Sequence, residues 1–369
     1  MICRPILSTF LLKIAPPPRC ALLTTAVDAI TPALEHTKQQ LFKRFQIGQW
    51  TKLAFVGLLA GELGTNGFNR SNFRLPSHGG PPPHLPVGID PALLAAFITA
   101  AVIAAVAIGI ILMFVSSVMR FVLFDSIITR ECHIRWSWSQ RLGPGWRYFA
   151  WKLLYLILIV AGIGVLVGIP LAWAFAKGWL KQPKEHLLAL ALGGGILFLI
   201  FFTFFLATAV IFVLTKDFVV PQMALENIDV MEGWRRLWPM MKAEKGAYAS
   251  YIVMKIVLAI VARILVGIAT LLLGLIVVIP SAALGLLAVL TGKTAGLTWN
   301  AHTIALAVVI GCVLLAFFLY LVSLVYVPAI VFFPAYSMYF FAARYPHLAA
   351  VLYTAPAPQF PASARLSSL

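Results

Sequence analysis

Five long stretches of almost purely apolar residues constrain this chain more strongly than any motif in it. Each is 22 to 35 residues long, and the only charged residue in any of them is Arg263. A helix needs about 20 apolar residues to cross a bilayer. The sequence therefore predicts five membrane-spanning helices, at residues 93–118, 153–174, 187–214, 256–290 and 303–326.

A sixth span is predicted from a shorter apolar stretch, residues 53–63, which contains Glu62. The distribution of lysine and arginine favours it, because cytoplasmic segments next to spans carry the basic excess. If this stretch crosses, 21 of the 28 basic residues lie on one side and 6 on the other. If it does not, the split is 14 against 13. We therefore expect six spans with both termini in the cytoplasm, and a bacterial inner-membrane location.

The composition agrees with an all-α, polytopic membrane helical bundle. Hydrophobic residues make up 62% of the chain and charged residues only 11%, against about 25% charged residues in soluble domains. The net charge of +16 is explained by basic helix ends that face anionic lipid headgroups. We therefore expect membrane lipids and other membrane proteins as partners, and no nucleic acid. The oligomeric state is left open.

The charged segment between the third and fourth apolar stretches, DFVVPQMALENIDVMEGWRRLWPMMKAEKGAY, predicts a helix that lies in the membrane interface. Ile228, Met231, Trp234, Trp238 and Met241 form one helical stripe. Tryptophan and arginine commonly sit at the level of the headgroups. The predicted interfacial anchors of the chain are Trp138, Trp234, Arg235, Arg236 and Trp238.

Similar segments precede the first and third of the six predicted spans. Each of the three segments has an aromatic residue, basic residues and then a glycine, and the glycines, Gly48, Gly145 and Gly246, are 97 and 101 residues apart. This spacing predicts three repeated units, each an interfacial helix followed by a helical hairpin. The alternative is that any helix entering a membrane from the cytoplasm collects aromatic and basic residues.

Proline and composition predict the remaining boundaries. Pro280 is expected to break the fourth long stretch, and Pro328 and Pro334 to end the last span near Tyr326. Residues 1–25 are expected to be a disordered N-terminal extension, or to come from an overextended start codon. Residues 26–345 form the transmembrane domain, and the Pro/Ala/Ser-rich residues 346–369 a flexible tail.

The sequence marks no catalytic residue, no cofactor-binding residue and no metal ligand, so we expect a protein that is not an enzyme. Its sharpest feature is a charge inside a span. Arg263 lies 12 residues beyond Tyr251, and Glu62 lies 12 residues beyond Trp50, the predicted cytoplasmic entries of their spans; this is about 18 Å deep. We predict that they pair, because a lone intramembrane arginine is costly. The alternatives are Glu62 at the outer headgroups and Arg263 in a watery cleft.

Several motifs carry a resemblance to a known family. FVVPQMALE, followed by GWRRLWPMMKAEKGAY, and the earlier AVDAITPALEHTKQQLF with QWTKLAF resemble an uncharacterised family of prokaryotic multi-pass membrane proteins, a domain of unknown function. That family is similar to the membrane domain attached to some glycerophosphodiester phosphodiesterases. The resemblance covers residues 26–345, implies about six spans, and supplies no catalytic residues.

Two functions are compatible with these features. The first is a non-enzymatic membrane scaffold or envelope-homeostasis factor that works through its interfacial helices. The second is a transporter or lipid-handling protein, which the repeat, the expected break at Pro280 and the intramembrane Arg263 would suit.

Overall fold

The computed structural model describes residues 25–43, 46–62, 91–178, 187–294 and 300–354, and within these ranges the chain is helical with no β-strand. In chain order the elements are α1 (Ile30–Phe42), α2 (Ile47–Leu59), α3 (Pro91–Thr129), α4 (Ile134–Ala176), α5 (Leu187–Leu214), a π-helix (Thr215–Val219), α6 (Val220–Glu226), α7 (Val230–Ala243), α8 (Lys245–Thr294), α9 (Ala301–Ala342) and α10 (Pro346–Thr354).

The five long predicted spans are confirmed as helices long and apolar enough to cross a membrane. They are α3, α4, α5 with the π-helix and α6 that continue it, α8 and α9, and the qualifying segments are 36 to 47 residues long. The sixth predicted span falls on α2, which has 13 residues and a length of about 20 Å. This is shorter than the hydrocarbon core of a bilayer, about 30 Å. Within the described residues, α2 is therefore not a spanning helix by itself.

The prediction that prolines interrupt the long helices was wrong. Helix α8 continues through Pro280, and α9 continues through Pro328 and Pro334 to Ala342. A proline removes one backbone hydrogen bond from a helix. A non-helical backbone would leave several groups unsatisfied in an apolar environment, so continuing the helix costs less.

The described chain has two regions of opposite character. The first, the packed end, consists of α1, α2 and residues 115–152, 214–251 and 327–354, which contain the π-helix, α6, α7, α10 and the ends of the long helices. The remaining parts of the long helices, the shafts, contain no buried residue among the described side chains of 93–112, 154–175, 191–213, 253–290 and 304–319. The segments that the sequence places on one side of the membrane thus meet at one end of the molecule.

Aromatic rings form the centre of the packed end. Phe218 of the π-helix lies 5.0 Å from Tyr251 of α8 and 5.8 Å from Phe340 of α9, measured between ring centroids. Tyr251 and Phe340 stack at 4.6 Å. All three side chains are at most 1% exposed. Each large ring buries about 150–250 Å², so this cluster fixes the π-helix, α8 and α9 against one another.

The C-terminal boundary differs from the prediction. Residues 346–354, which we expected in the flexible tail, form α10, and Leu348 of this helix is fully buried. An apolar residue at the packed end gains more from burial than it loses in chain entropy. Residues 355–369 and the predicted N-terminal extension, apart from Thr25, lie outside the described residues.

Candidate functional site: a buried network of charges

Glu62 is the centre of a buried charge network at the packed end. It lies just beyond the end of α2 and is 2% exposed. Its Oε1 accepts a hydrogen bond from Arg120 Nη1 of α3, and its Oε2 accepts one from Lys216 Nζ over 2.7 Å. Arg120 Nη2 also donates to the carbonyl oxygen of Ala60 over 3.3 Å. One carboxylate therefore joins α2, α3 and the π-helix.

The π-helix places two adjacent charges against different partners. Lys216 binds Glu62, whereas Asp217 Oδ2 accepts hydrogen bonds from Lys255 Nζ and, over 2.9 Å, from the Tyr251 hydroxyl. All five residues of this π-helix are buried. A π-turn inserts an extra residue into the helical register and is frequent at functional sites. Here it lets neighbouring side chains of opposite charge reach separate elements.

The cavity inside this network is small. Arg120, Lys216, Asp217 and Ser337 contribute to its wall, and its volume is about 20 Å³. That is enough for about one water molecule and not for an organic solute. Both carboxylates are already bound by cations, so neither is placed to take a proton from a substrate. The network joins helix ends around a cavity of about the size of one water molecule.

Lys152 of α4 lies beside the network without joining a carboxylate. Its Nζ is 3.4 Å from Ser116 Oγ and 5.0 Å from the centroid of the Tyr148 ring. Within the described part of the chain, no acidic side chain forms an ion pair with Lys152. The cluster therefore holds four cationic side chains, Arg120, Lys152, Lys216 and Lys255, against the carboxylates of Glu62 and Asp217.

A separate ion pair at the packed end joins Arg141 to Asp125. Arg141 of α4 binds Asp125 of α3 through two nitrogen atoms, over 2.7 and 2.8 Å, and donates to the carbonyl oxygen of Ala224 over 2.6 Å. Two parallel bonds from one guanidinium fix geometry as well as charge. This arginine joins α3, α4 and α6.

His36 attaches α1 to the ends of two long helices. Its Nε2 is 3.0 Å from the carbonyl oxygen of Ile127, and its Nδ1 is 3.2 Å from the Tyr339 hydroxyl. A carbonyl oxygen can only accept, so Nε2 carries the proton and Nδ1 accepts from the tyrosine. Burial, with the nearby charge of Arg130, lowers the pKa of His36 from 6.5 to about 4. The imidazole is therefore neutral at physiological pH.

The structure places the two residues of the predicted intramembrane pair differently. Glu62 is buried at the packed end, with its oxygens bonded to Arg120 and Lys216. Arg263 lies on an exposed face of α8, eight residues beyond Lys255, or about 12 Å along the helix. The Glu62–Arg263 pair stays a prediction.

The predicted interfacial anchors divide into two groups. Trp234 is partly buried, and its Nε1 donates to Thr215 Oγ1 over 3.0 Å, so this ring attaches α7 to the π-helix. Trp138 is also partly buried against the core. Arg235 and Trp238 are exposed, and Arg236 binds Glu226 and, over 3.0 Å, Glu232. The role of these five residues in a membrane interface stays a prediction.

Sequence reasoning missed Arg120, Lys152, Lys216, Asp217 and Lys255 as one cluster. Each of them flanks an apolar stretch, where a charge is expected for topology alone. The one local hint in the sequence is Asp217 beside Lys216. The basic excess that sets membrane topology does not explain an acidic residue at this place. No group of three or more histidine, cysteine or acidic side chains suited to a metal ion occurs among the described residues.

Comparison with known proteins gives a family and no function. The comparison with curated proteins and the comparison with solved structures each gave no match. A family model described as a family of unknown function (DUF7544) matches residues 24–351, which include every described helix up to the middle of α10. The chain therefore belongs to the DUF7544 family of unknown function.

Proposed function

We propose that this chain is a non-enzymatic membrane scaffold, an envelope-homeostasis factor of the bacterial inner membrane with both termini in the cytoplasm. The observation that carries the proposal is the closed charge network. Glu62 and Asp217 are each bound by cationic side chains, and the cavity beside them has a volume of about 20 Å³. Such pairs are strongly destabilising to break and offer no free acid or base. They suit a protein whose function depends on a fixed arrangement of helices.

Six crossings are supported by the position of α2 relative to α3. Glu62 is bonded to Arg120, whereas Pro91 begins the same continuous helix 29 residues earlier, about 44 Å away. Glu62 and Pro91 therefore lie near opposite ends of α3. This separation supports a sixth crossing, and with six crossings both termini would lie on one side, as the distribution of basic residues favours.

Three repeated units are supported by two of the three predicted interfacial helices. Helices α1 and α7 are separate from the helices that follow them, α2 and α8, whereas the second segment is continuous with α4. We propose a repeat in which the second unit lacks the break between its interfacial helix and its spanning helix. The similarity to the membrane domain attached to some glycerophosphodiester phosphodiesterases remains part of this proposal.

The surface through which the scaffold would act is the outer face of α7. Met231, Arg235, Trp238 and Lys242 lie along it at spacings of four, three and four residues, and all four are exposed. Lys242 Nζ lies 5.4 Å from the centroid of the Trp238 ring. Aromatic and arginine side chains of this kind are enriched in protein interfaces.

Transport or lipid handling is the second candidate function. Helix α8 is continuous through Pro280, so the broken helix that would have favoured transport is not present in α8. The excess of cationic side chains over carboxylates around Glu62 and Asp217 and the open pocket beside Lys152 favour lipid handling.

Photo-crosslinking tests the scaffold. A photoreactive amino acid replaces Trp238 on α7 in the full chain, and the matched control replaces Leu272, which is 53% exposed on the shaft of α8. The protein is crosslinked in the cells that make it and analysed by mass spectrometry. We expect a discrete protein partner at position 238 and lipid at position 272. Lipid alone at both positions would contradict the scaffold.

A further inference from the structure

A pocket of about 320 Å³ lies between α3, α4 and α5, next to the charge network. Its polar residues are Lys152, Tyr155 and Thr208, and the rest of its wall is apolar. The pocket opens outward between the shafts, since Leu156 and Phe205 on its wall are 47% and 64% exposed. A molecule lying against the shafts can enter it without passing through the packed end.

The charge at one end of this pocket has no acidic counterpart. Lys152 lies beside the network, next to the like charges of Arg120 and Lys216, and no carboxylate of the described residues is bound to it. Its contact with Ser116 is to a neutral hydroxyl. A buried cation is costly unless an anion compensates it. An anionic group in the pocket would therefore supply the compensating charge that the described residues do not give Lys152.

The polar groups deeper in the pocket are already satisfied. The Tyr155 hydroxyl donates to the carbonyl oxygen of Thr208 over 2.7 Å, and the Thr208 hydroxyl donates to the carbonyl oxygen of Phe205 over 2.8 Å. Beyond them the wall is apolar as far as Ile159, seven residues from Lys152, or about 10 Å along α4. Such a wall suits a hydrocarbon chain and offers nothing to a sugar or another polar solute.

We propose that this pocket binds one anionic phospholipid, with the headgroup phosphate at Lys152 and an acyl chain along Leu156, Ile159 and Phe205. The charge supplies selectivity for a net negative headgroup over a zwitterionic one, and the apolar wall excludes a free phosphate ion. This site goes beyond the scaffold function, because a scaffold needs no particular lipid.

Native mass spectrometry of the full chain in mild detergent tests the site. Phosphatidylglycerol or phosphatidylcholine with identical acyl chains is titrated into the protein, and the bound lipids are counted. We expect one phosphatidylglycerol to bind about fivefold more tightly than phosphatidylcholine, since each lysine near an anionic lipid contributes about that factor. Equal binding of the two lipids would overturn the proposal.

Three variants locate the selectivity. Lys152→Gln should abolish the preference for phosphatidylglycerol over phosphatidylcholine. Lys177→Gln, at the far end of the same helix, should leave this preference unchanged. Lys152→Arg should preserve the preference. In detergent without lipid, Lys152→Gln should melt at or above the wild-type temperature, because it removes a repelled charge, and phosphatidylglycerol should raise its melting temperature less than that of the wild type.

A fourth variant tests the acyl part of the site without changing a charge. Ala209 is exposed and lines the pocket, so Ala209→Phe fills the space with little effect on the fold. It should weaken the binding of both lipids about tenfold. Unchanged binding in both Lys152→Gln and Ala209→Phe overturns the proposal, and so does binding of glycerophosphoglycerol or inorganic phosphate as tight as that of the intact lipid.

Discussion

The packed end and the shafts are built from the same long helices, yet they use apolar residues in opposite ways. At the packed end, Phe340 is 1% exposed among other rings, whereas Phe198 on the shaft of α5 is 68% exposed. In each of the five candidate spans, the most apolar stretch contains no residue that is buried within the protein. The shafts are therefore suited to a lipid solvent, and the specificity of the fold resides at the packed end.

Polar residues produce this difference. The packed end carries the ion pairs of Glu62, Asp217 and Asp125 and the hydrogen bonds of His36. Each of these bonds has one favourable geometry, so together they select one arrangement of helix ends. The shafts have few such bonds, and lipid chains are as apolar as leucine, so burial there contributes little to helix association.

Glu62→Gln should give the largest loss of stability. It leaves Arg120 and Lys216 buried with like charges and one weak acceptor, so we expect the free energy of unfolding to fall by about 3–5 kcal/mol. Titration with sodium dodecyl sulfate in mixed micelles measures it. Glu131→Gln is the control, because Glu131 is 44% exposed and 3.9 Å from His133, and its loss should stay below about 1 kcal/mol.

Double-mutant cycles sharpen the same comparison. Glu62→Gln combined with Arg120→Met should show a coupling of about 1–3 kcal/mol, because the two residues share one ion pair. A cycle with Arg263→Met tests the predicted pair between the packed end and a shaft. Additivity within about 0.5 kcal/mol would exclude that pair.

Acid should loosen α1 through His36. Its pKa is about 4 in the folded protein and 6.5 in the unfolded chain, so between these values the unfolded chain binds more protons. Stability should therefore fall as the pH drops from about 7 to 4, by up to about 3 kcal/mol in all. We expect His36→Gln to remove this part of the pH dependence of unfolding. An identical dependence in wild type and variant would show that His36 does not cause it.

Two glycines of α4 should respond in opposite directions. A Cβ atom on Gly145 would lie 2.7 Å from Val118 Cγ2 and 3.2 Å from Val118 Cα, whereas one on Gly164 meets nothing within 4 Å. Gly145→Ala should therefore cost about 1–3 kcal/mol. Gly164→Ala should raise stability by up to about 1 kcal/mol, because alanine favours a helix. Destabilisation by both variants would mean that the α4 shaft is also closely packed.

The sequence predicts the shafts well and the packed end poorly. A long apolar stretch needs no partner to become a helix in lipid, so its position follows from composition. Gly48, Gly145 and Gly246 look equivalent in sequence, but only Gly145 is in close contact with another helix in the structure. That contact depends on the crossing of α3 and α4, which local spacing does not encode.

The charge network was missed for the same reason. Depth along a helix is one coordinate of three, and a π-helix shifts the register of the residues that follow it in the same helix. Periodicity at 3.6 residues per turn assigns Trp234 to the same lipid-facing stripe as Trp238, although Trp234 of the separate helix α7 donates a hydrogen bond to Thr215. Such contacts between helices depend on tertiary packing.

The length of α8 has a mechanical consequence. Its candidate span covers 47 residues, about 70 Å of helix, against a hydrocarbon core of about 30 Å. An overlong helix in a bilayer meets the mismatch by leaning over. Because Tyr251 and Lys255 bind Asp217 of the π-helix at the near end of α8, we expect a change in the tilt of α8 to load these two hydrogen bonds first.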